Sequence, residues 1–134
     1  MDKKDKPVSP KDRRKYRRIE VTLRIQCKVK GDPEAAEIET VDISAGGMSV
    51  LMNKIRKVGT VLEFTMVFEK GLVFDCQGKV VWQDLRPRRD SLGKFSYLSG
   101  IEFLEIDLTE RLKLIYYCHS REKAVRKNDE AGTL

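Results

Sequence analysis

The sequence lacks the features of a membrane-spanning protein, a disulfide-rich secreted domain or a metal-binding domain. No apolar run approaches the roughly 18–20 residues that a membrane span requires, and no apolar stretch follows the N-terminal lysines as it would in a secretory signal. There are only three cysteines, and the absence of a C-x-x-C pair argues against a zinc site or a disulfide framework. We therefore expect reduced thiols in or near the core and a cytoplasmic location.

The residues of common catalytic sites are also scarce. His119 is the only histidine, and Ser44 does not lie in the G-x-S-x-G pattern of a nucleophile elbow. The sequence shows no cluster of carboxylates, no glycine-rich phosphate loop and no set of metal ligands. We therefore expect no enzyme activity, no metal and no cofactor, and we expect His119 to pack on a helix face.

What the sequence does contain is a concentration of positive charge at one end. The formal net charge is +6, and residues 1–18 carry nine Lys and Arg against three Asp, which accounts for all of it. The remaining residues are balanced, with eighteen basic and eighteen acidic side chains. A basic arm on a neutral body predicts an anionic partner, such as a phosphorylated ligand, nucleic acid or an anionic membrane surface.

Most of the chain after residue 18 alternates apolar and polar residues with the period of β-strands, most clearly over 20–29. Further strands are predicted over 37–43, 48–52, 61–68, 72–83 and 95–104. Because closure removes the exposed edges of so small a sheet, this all-β pattern predicts a six-stranded antiparallel β-barrel. The methionines at strand spacing are expected in its core: Met48, Met52 and Met66.

Three irregularities are predicted between and within these strands. Lys70-Gly71 is expected to form a hairpin turn, and residues 85–94 a polar loop. Gly78 is expected to mark a bulge or bend. The loop carries three arginines that we expect to be solvated, with phosphate contact as an alternative: Arg86, Arg88 and Arg89.

The period of the pattern changes to that of a helix near residue 107. Asp107, with Glu110 three positions later, is typical of a helix N-cap. A C-terminal α-helix is predicted over 108–123, and its apolar face is formed by residues at helical spacing: Leu108, Leu112, Ile115 and His119, with Leu114 beside them. The expected organisation is a flexible arm (1–11), a β-barrel domain with a terminal helix (12–123) and a flexible tail (124–134).

Two short segments carry the most specific chemistry. The first, residues 12–19, contains a cluster of arginines in which Arg14 and Arg18 are four positions apart, with Tyr16 between them. Guanidinium groups bind phosphate oxygens with two parallel hydrogen bonds and stack on flat bases. Taken alone, such a basic run before a strand is usually a solvated, flexible arm.

The second segment, residues 41–48, contains Asp42, Ser44 and Gly47. One interpretation is an ordinary turn in which the two polar side chains bind nearby backbone groups. The functional interpretation is that glycine permits close approach of the backbone to a ligand, while Asp42 accepts hydrogen bonds from the N–H groups of a guanine.

Taken together, the two segments resemble the signature of the PilZ domain family, which comprises receptors for the bacterial second messenger cyclic di-GMP. Arg14 and Arg18 match its R-x-x-x-R part, just before the first strand. Asp42, Ser44 and Gly47 match its [D/N]-x-S-x-x-G part. The resemblance covers roughly residues 12–123.

The resemblance implies a role for each matching residue. Arg14 and Arg18 would bind the phosphates and the guanine faces of cyclic di-GMP. Asp42 and Ser44 would form hydrogen bonds with a guanine edge, and Gly47 would keep the floor of the pocket open. This implies a bacterial sensor whose arm orders over the ligand and changes the surface presented to an unidentified protein partner, in a process such as motility or biofilm regulation.

Two further residues are candidates for contact with the ligand. In the family, an arginine at the position of Arg13 goes with an intercalated pair of ligand molecules, so we expect two cyclic di-GMP molecules per protomer. Trp82 alternates with Val81 along a strand, which favours a place in the core. Some family members place an aromatic residue there against the bound guanine, so a stacking role for Trp82 remains open.

Two other functions are compatible with the sequence. A small β-barrel could bind RNA or single-stranded DNA through the same basic arm, but the aromatics that such barrels use for stacking are few here, so no nucleic acid is expected. A domain of this fold could also act as an adaptor that binds only proteins, and the intact motifs argue against that alternative.

Overall fold

The computed structural model describes residues 18–68 and 71–132, with side chains described as far as Arg121. The expected flexible arm (1–11), Arg13 and Arg14 lie outside the described residues. Lys70, half of the expected hairpin turn, lies outside them as well.

The described residues form eight strands and one long helix. The strands are β1 (Ile19–Glu20), β2 (Arg24–Val29), β3 (Ala36–Ile43), β4 (Gly47–Met52), β5 (Val61–Val67), β6 (Val73–Gln83), β7 (Arg88–Arg89) and β8 (Phe95–Leu104). The helix, α1, spans Leu108–Gly132. Two of the strands were not predicted: β1 is separated from β2 by residues 21–23, and β7 forms within the expected polar loop.

Six strands close into a barrel, as predicted. Their neighbours run in the order β3, β2, β5, β6, β8 and β4, and β4 pairs again with β3 to complete the ring. All these pairings are antiparallel. The short β1 adds to β3 and the short β7 adds to β8. Closure leaves no edge in the ring, and its interior is filled by the apolar residues of the alternating pattern.

The core of the barrel contains the apolar residues that the alternating pattern predicted on the inward faces of the strands. Met48, Met52 and Met66 are all buried, as predicted. Cys27 and Cys118 are buried, Cys76 is half-buried, and all three are free thiols. The expected position of the cysteines in or near the core is therefore confirmed.

The predicted irregularity at Gly78 is wrong, and the bulge lies a few residues later. Gly78 pairs regularly with Leu62 and Phe103, and a Cβ there would lie 2.5 Å from the Ile101 side chain. The register of β6 against β8 shifts instead between Val80 and Trp82. This glycine makes room for core packing, whereas the bend comes from a bulge that alternation alone does not reveal.

Helix α1 begins where the sequence predicted, and it ends later. The Oδ1 atom of Asp107 accepts the N–H of Glu110 at 2.8 Å, which confirms the N-cap. The helix continues to Gly132, past the predicted end near Lys123. Within the described part of the chain, no helix has the length and apolar character needed to cross a membrane.

The prediction of the helix's inward face is correct at Leu114 and wrong at the other four residues. Leu114 and Cys118 are buried, and the ring of Tyr117 packs on Phe68 with centroids 4.2 Å apart. The face predicted from apolar spacing is exposed, including His119. Two apolar stripes share this helix, and sequence spacing alone cannot tell which of them meets the barrel.

Candidate functional site

Sheet register places several polar and aromatic residues in one row across the outer face of the barrel. Asp42 of β3 lies opposite Ser49 of β4, Ser49 opposite Gly100 of β8, and Gly100 opposite Trp82 of β6. Directly opposed residues of antiparallel strands project from the same face of the sheet. The carboxylate and the indole therefore lie at the two ends of a continuous surface, which we call the outer row.

Asp42 is held at a bulge in β3. The register against β4 shifts between Thr40 and Asp42, and the Oδ1 atom of Asp42 accepts the backbone N–H of Ser49 at 3.0 Å. The Thr40 hydroxyl donates to Val21 O at 2.7 Å and accepts the Leu23 N–H at 2.9 Å, which ties the segment between β1 and β2 to this bulge. The carboxylate is therefore fixed in place before any ligand arrives.

Arg18 lies against this carboxylate. Its Nη1 atom is 3.6 Å from Asp42 Oδ1, and the two side chains are 26% and 18% exposed. The Nε atom of Arg18 is buried and has no hydrogen-bond acceptor among the described residues. Since a buried donor without a partner costs about 1–3 kcal/mol, an acceptor brought by a ligand would be favourable here.

Ser44 and Gly47 form the turn that follows β3. The Ser44 N–H donates to Gly47 O at 2.8 Å, and the Ser44 hydroxyl accepts the Gly46 N–H at 3.1 Å. Ser44 is buried, so its hydroxyl shapes the turn. A Cβ at Gly47 would lie 2.1 Å from the backbone oxygen of Ile101, so the close approach of β8 by itself requires a glycine there.

Trp82 is on the outside of the barrel, which makes the expected core position wrong. Its side chain is 43% exposed because the bulge at residues 80–82 interrupts the alternation of β6. The indole lies on Gly100, where a Cβ would come within 2.1 Å of the Trp82 Nε1 atom. The absence of a side chain at Gly100 therefore allows the ring to lie against the sheet and to present a flat aromatic surface.

The loop between β6 and β8 is held against the same outer face by contacts with Arg24 of β2 and Glu39 of β3. Arg24 bonds Glu37 at 2.7 Å, Glu39 at 3.3 Å and Asp90 at 3.4 Å. The buried Glu39 also accepts hydrogen bonds from the backbone N–H and the hydroxyl of Ser91. These contacts, which we call the loop clamp, hold residues 90–94 against β2 and β3, beside the outer row.

The arginines of this loop are all exposed, as expected. Arg86 pairs with Asp84, and its hydrogen bonds lower the pKa of that carboxyl to about 2. Arg89 lies over the ring of Phe95 at 4.2 Å and donates to Gly93 O at 2.7 Å. Arg88 is on the same short strand, β7. The alternative of phosphate contact by these arginines stays a prediction.

The structure therefore brings together some of the predicted site residues. Asp42 and Trp82 share the outer row, Arg18 contacts Asp42, and Ser44 and Gly47 build the turn beside it. Ser49 and Gly100 also belong to the row, and sequence reasoning missed both. No local signal marks them, because their place depends on how β4 and β8 are paired.

Comparison with known proteins identifies the family. The sequence model of the PilZ domain matches residues 12–120. None of the curated proteins compared with the chain matches it. The described residues contain no group of three or more His, Cys, Asp or Glu side chains arranged to hold a metal ion.

Solved structures share the fold at low sequence identity. The PilZ domain with c-di-GMP of YcgR from Escherichia coli superposes with a TM-score of 0.70 at 20% identity, covering 88% of this chain and 98% of that one. The Bacillus subtilis inhibitor of motility, MotI/DgrA, superposes with a TM-score of 0.66 at 21% identity, covering 84% of this chain and 52% of that one. The chain thus spans about half the length of the latter protein. With the family match over most of its length, the chain belongs to the PilZ domain family.

Proposed function

We propose that this chain is a cyclic di-GMP receptor that binds the ligand on the outer row. The observation that carries the proposal is the placement of Arg18, Asp42 and Trp82 on one face, with a cation and a fixed acceptor at one end and a flat aromatic surface at the other. Family membership supports the assignment, as does the c-di-GMP named with the similar YcgR domain.

Each end of the outer row suits one part of a phosphorylated guanine nucleotide. The contacts of Asp42 within the described residues all use Oδ1, which leaves Oδ2 to accept N–H groups from a guanine edge. The exposed indole of Trp82 offers a surface for stacking of a purine. Arg18, with its buried and unpaired Nε atom, would turn from Asp42 to the phosphate oxygens.

The basic arm completes the site in this proposal. Arg13 and Arg14 lie five and four positions before Arg18 in the sequence, and their guanidinium groups would add further phosphate contacts. Charge-assisted hydrogen bonds are worth about 1.5–3 kcal/mol each, and ordering costs about 1–2 kcal/mol per residue. Because the gain in free energy from these hydrogen bonds and the cost of ordering are similar, the arm would order over the ligand reversibly. Ordering would change the surface offered to a protein partner in the bacterial cytoplasm.

The test is calorimetric titration of the purified chain with cyclic di-GMP. Arg14→Ala and Arg18→Ala should each weaken binding at least tenfold, since each removes a charge-assisted contact. Lys28→Ala is the control, because it also removes a cation, and Lys28 pairs with Glu63 between β2 and β5, two strands outside the outer row. Unchanged affinity in the Arg18 variant would overturn the site.

The stoichiometry tests the role of Arg13. We expect about two ligands per protomer for the natural sequence, bound as an intercalated pair, and one for Arg13→Leu. A ratio of one in both proteins would contradict this part of the proposal and leave the rest intact. Binding that falls steeply with salt and shows no preference for cyclic di-GMP over RNA or single-stranded DNA would instead favour a nucleic-acid-binding barrel.

A further inference from the structure

Helix α1 carries a second apolar face that the barrel does not cover. Four large residues lie on it in the described structure with exposed fractions of 72%, 53%, 40% and 73%: Leu108, Leu112, Ile115 and Tyr116. The face that packs on the barrel is formed by Leu114, Tyr117 and Cys118. We call the exposed set the outer stripe. Monomeric proteins rarely leave so many large apolar side chains contiguous and exposed, so the outer stripe is a candidate interface.

The spacing of the outer stripe suits packing against another helix. Leu108, Leu112 and Ile115 of the outer stripe, with the exposed His119 after them, follow one another at intervals of four, three and four residues, which is the alternation of a coiled-coil seam. The helix is 25 residues long, or about 37 Å at 1.5 Å per residue. The helix backbone continues well beyond the stripe.

Charge indicates which partner fits. A cleft of about 500 Å³ opens beside the start of the helix, and five acidic side chains line it together with Lys28: Glu63, Asp75, Glu105, Asp107 and Glu110. In contrast, residues 121–127 of the helix carry four basic residues and one acidic residue in the sequence. The chain therefore places a negative region at one end of the outer stripe and a positive segment at the other.

We propose that the outer stripe pairs with the same stripe of a second copy of this chain, with the two helices antiparallel. In this register Leu112 of one copy opposes Ile115 of the other, and Leu108 opposes His119. The basic segment 121–127 of each copy then extends past the start of the opposing helix, over the acidic cleft. A parallel pairing would bring the two acidic ends together and the two basic segments together, which like-charge repulsion disfavours.

The first test is the oligomeric state of the ligand-free chain by sedimentation equilibrium over roughly 5–500 µM, a range suited to a small interface. We expect a monomer–dimer equilibrium, and Leu112→Glu should raise its dissociation constant at least tenfold. Leu92→Glu is the matched control, because Leu92 is 60% exposed but lies in the β7–β8 loop. Circular dichroism and thermal unfolding establish that both variants fold.

The second test examines orientation through charge reversal. Lys123→Glu/Arg126→Glu and Asp75→Lys/Glu105→Lys should each weaken self-association. An equimolar mixture of the two variants should favour the heterodimer over either homodimer, because one of its two contacts pairs the natural basic segment with the natural acidic cleft. Raised salt should weaken the natural dimer and the heterodimer alike.

Disulfide capture tests the same register directly. In a Cys76→Ser background, a mixture of Leu108→Cys and His119→Cys chains should form a crossed disulfide, and Leu108→Cys alone should not. A chain that stays monomeric at every concentration would overturn the proposal and leave the stripe to a different protein. So would equal effects of the Leu112 and Leu92 variants, failure of the charge-reversed mixture, or efficient crosslinking of Leu108→Cys to itself.

Discussion

At the scale of single residues, two glycines near the site are required for different reasons. A Cβ at Gly47 would meet the backbone oxygen of Ile101 at 2.1 Å, and that atom cannot move without shifting β8. The three atoms nearest to a Cβ at Gly100 all belong to the indole of Trp82, which is 43% exposed and has solvent into which it can turn. Gly47 therefore allows β4 and β8 to pair closely, and Gly100 allows the indole of Trp82 to lie against the sheet.

The two positions should respond differently to the same substitution. Gly47→Ala should lower the free energy of unfolding by about 1–3 kcal/mol, the range for overpacking a well-packed interior. Gly100→Ala should change stability less, but it should displace the indole and weaken cyclic di-GMP binding. Chemical denaturation measures the first effect, and calorimetry and the fluorescence of the only tryptophan measure the second. Equal destabilisation by the two variants, or an unchanged fluorescence spectrum in Gly100→Ala, would contradict this account.

At the scale of elements, the loop clamp decides where the β7–β8 segment lies. Glu39 is buried on the outer face of β3, and its partners are Arg24 and Ser91. Asp90 accepts the N–H groups of Lys94 and Leu92, both at 2.9 Å. Because the charged groups of the clamp are partnered, removal of one partner leaves a buried acceptor or donor unsatisfied.

Glu39→Gln should loosen the loop without opening the barrel. The amide keeps the shape of the side chain but loses the charge-assisted bonds to Arg24 and Ser91, worth about 1.5–3 kcal/mol. Hydrogen exchange should accelerate over residues 90–94, while the strands paired within the ring keep their protection. Glu63→Gln is a control, since Glu63 pairs with Lys28 on another part of the sheet. Unchanged exchange over 90–94 would contradict the role of the clamp.

The same loop should weaken in acid. Hydrogen bonds from the backbone of Lys94 and Leu92, with Arg24 nearby, lower the pKa of Asp90. A carboxyl whose pKa is lower in the folded state contributes its full stability above its unfolded pKa of about 3.9, and loses it as the pH falls through the folded value. The stability difference between the natural chain and Asp90→Asn should therefore be constant near neutral pH and shrink below about pH 4. A stability difference that grows in acid would contradict the lowered pKa of Asp90.

At the scale of the whole molecule, the closed ring and the docked helix should open separately. Cys27 lies in β2, which is paired on both sides, whereas Cys118 lies on the barrel-facing side of α1 with its Sγ 3.6 Å from Ile43 O. Burial raises the pKa of Cys27 to about 12 and that of Cys118 to about 11, so neither thiol is ionised in the folded state near pH 8. Their reaction with an alkylating agent therefore requires opening of the structure.

Alkylation should modify Cys118 before Cys27 under native conditions, because detachment of one helix exposes Cys118 and opening of the barrel is needed to expose Cys27. Mass spectrometry of a Cys76→Ser chain treated with iodoacetamide measures the order, and the same reaction in denaturant gives the intrinsic rates. Modification of Cys27 first, or of both residues at one common rate, would indicate that the helix and the barrel unfold together.

The sequence by itself determined the period of most elements and the motifs that indicate the family. Alternation predicted the β-barrel and its methionine core, and the motifs containing Arg18 and Asp42 predicted the family. These features are local, because strand alternation, helix capping and short motifs depend on residues that are neighbours in the chain.

Tertiary structure alone decided which faces meet and which side chains share a surface. The bulge in β6 moved Trp82 outward, and the pairing of β4 with β8 brought Ser49 and Gly100 between Asp42 and that indole. Packing also selected Leu114 and Cys118 for the barrel and left Leu112 exposed. Each of these outcomes depends on register and docking between distant segments, where a shift of one residue reverses the face of every side chain, and no local pattern encodes that choice.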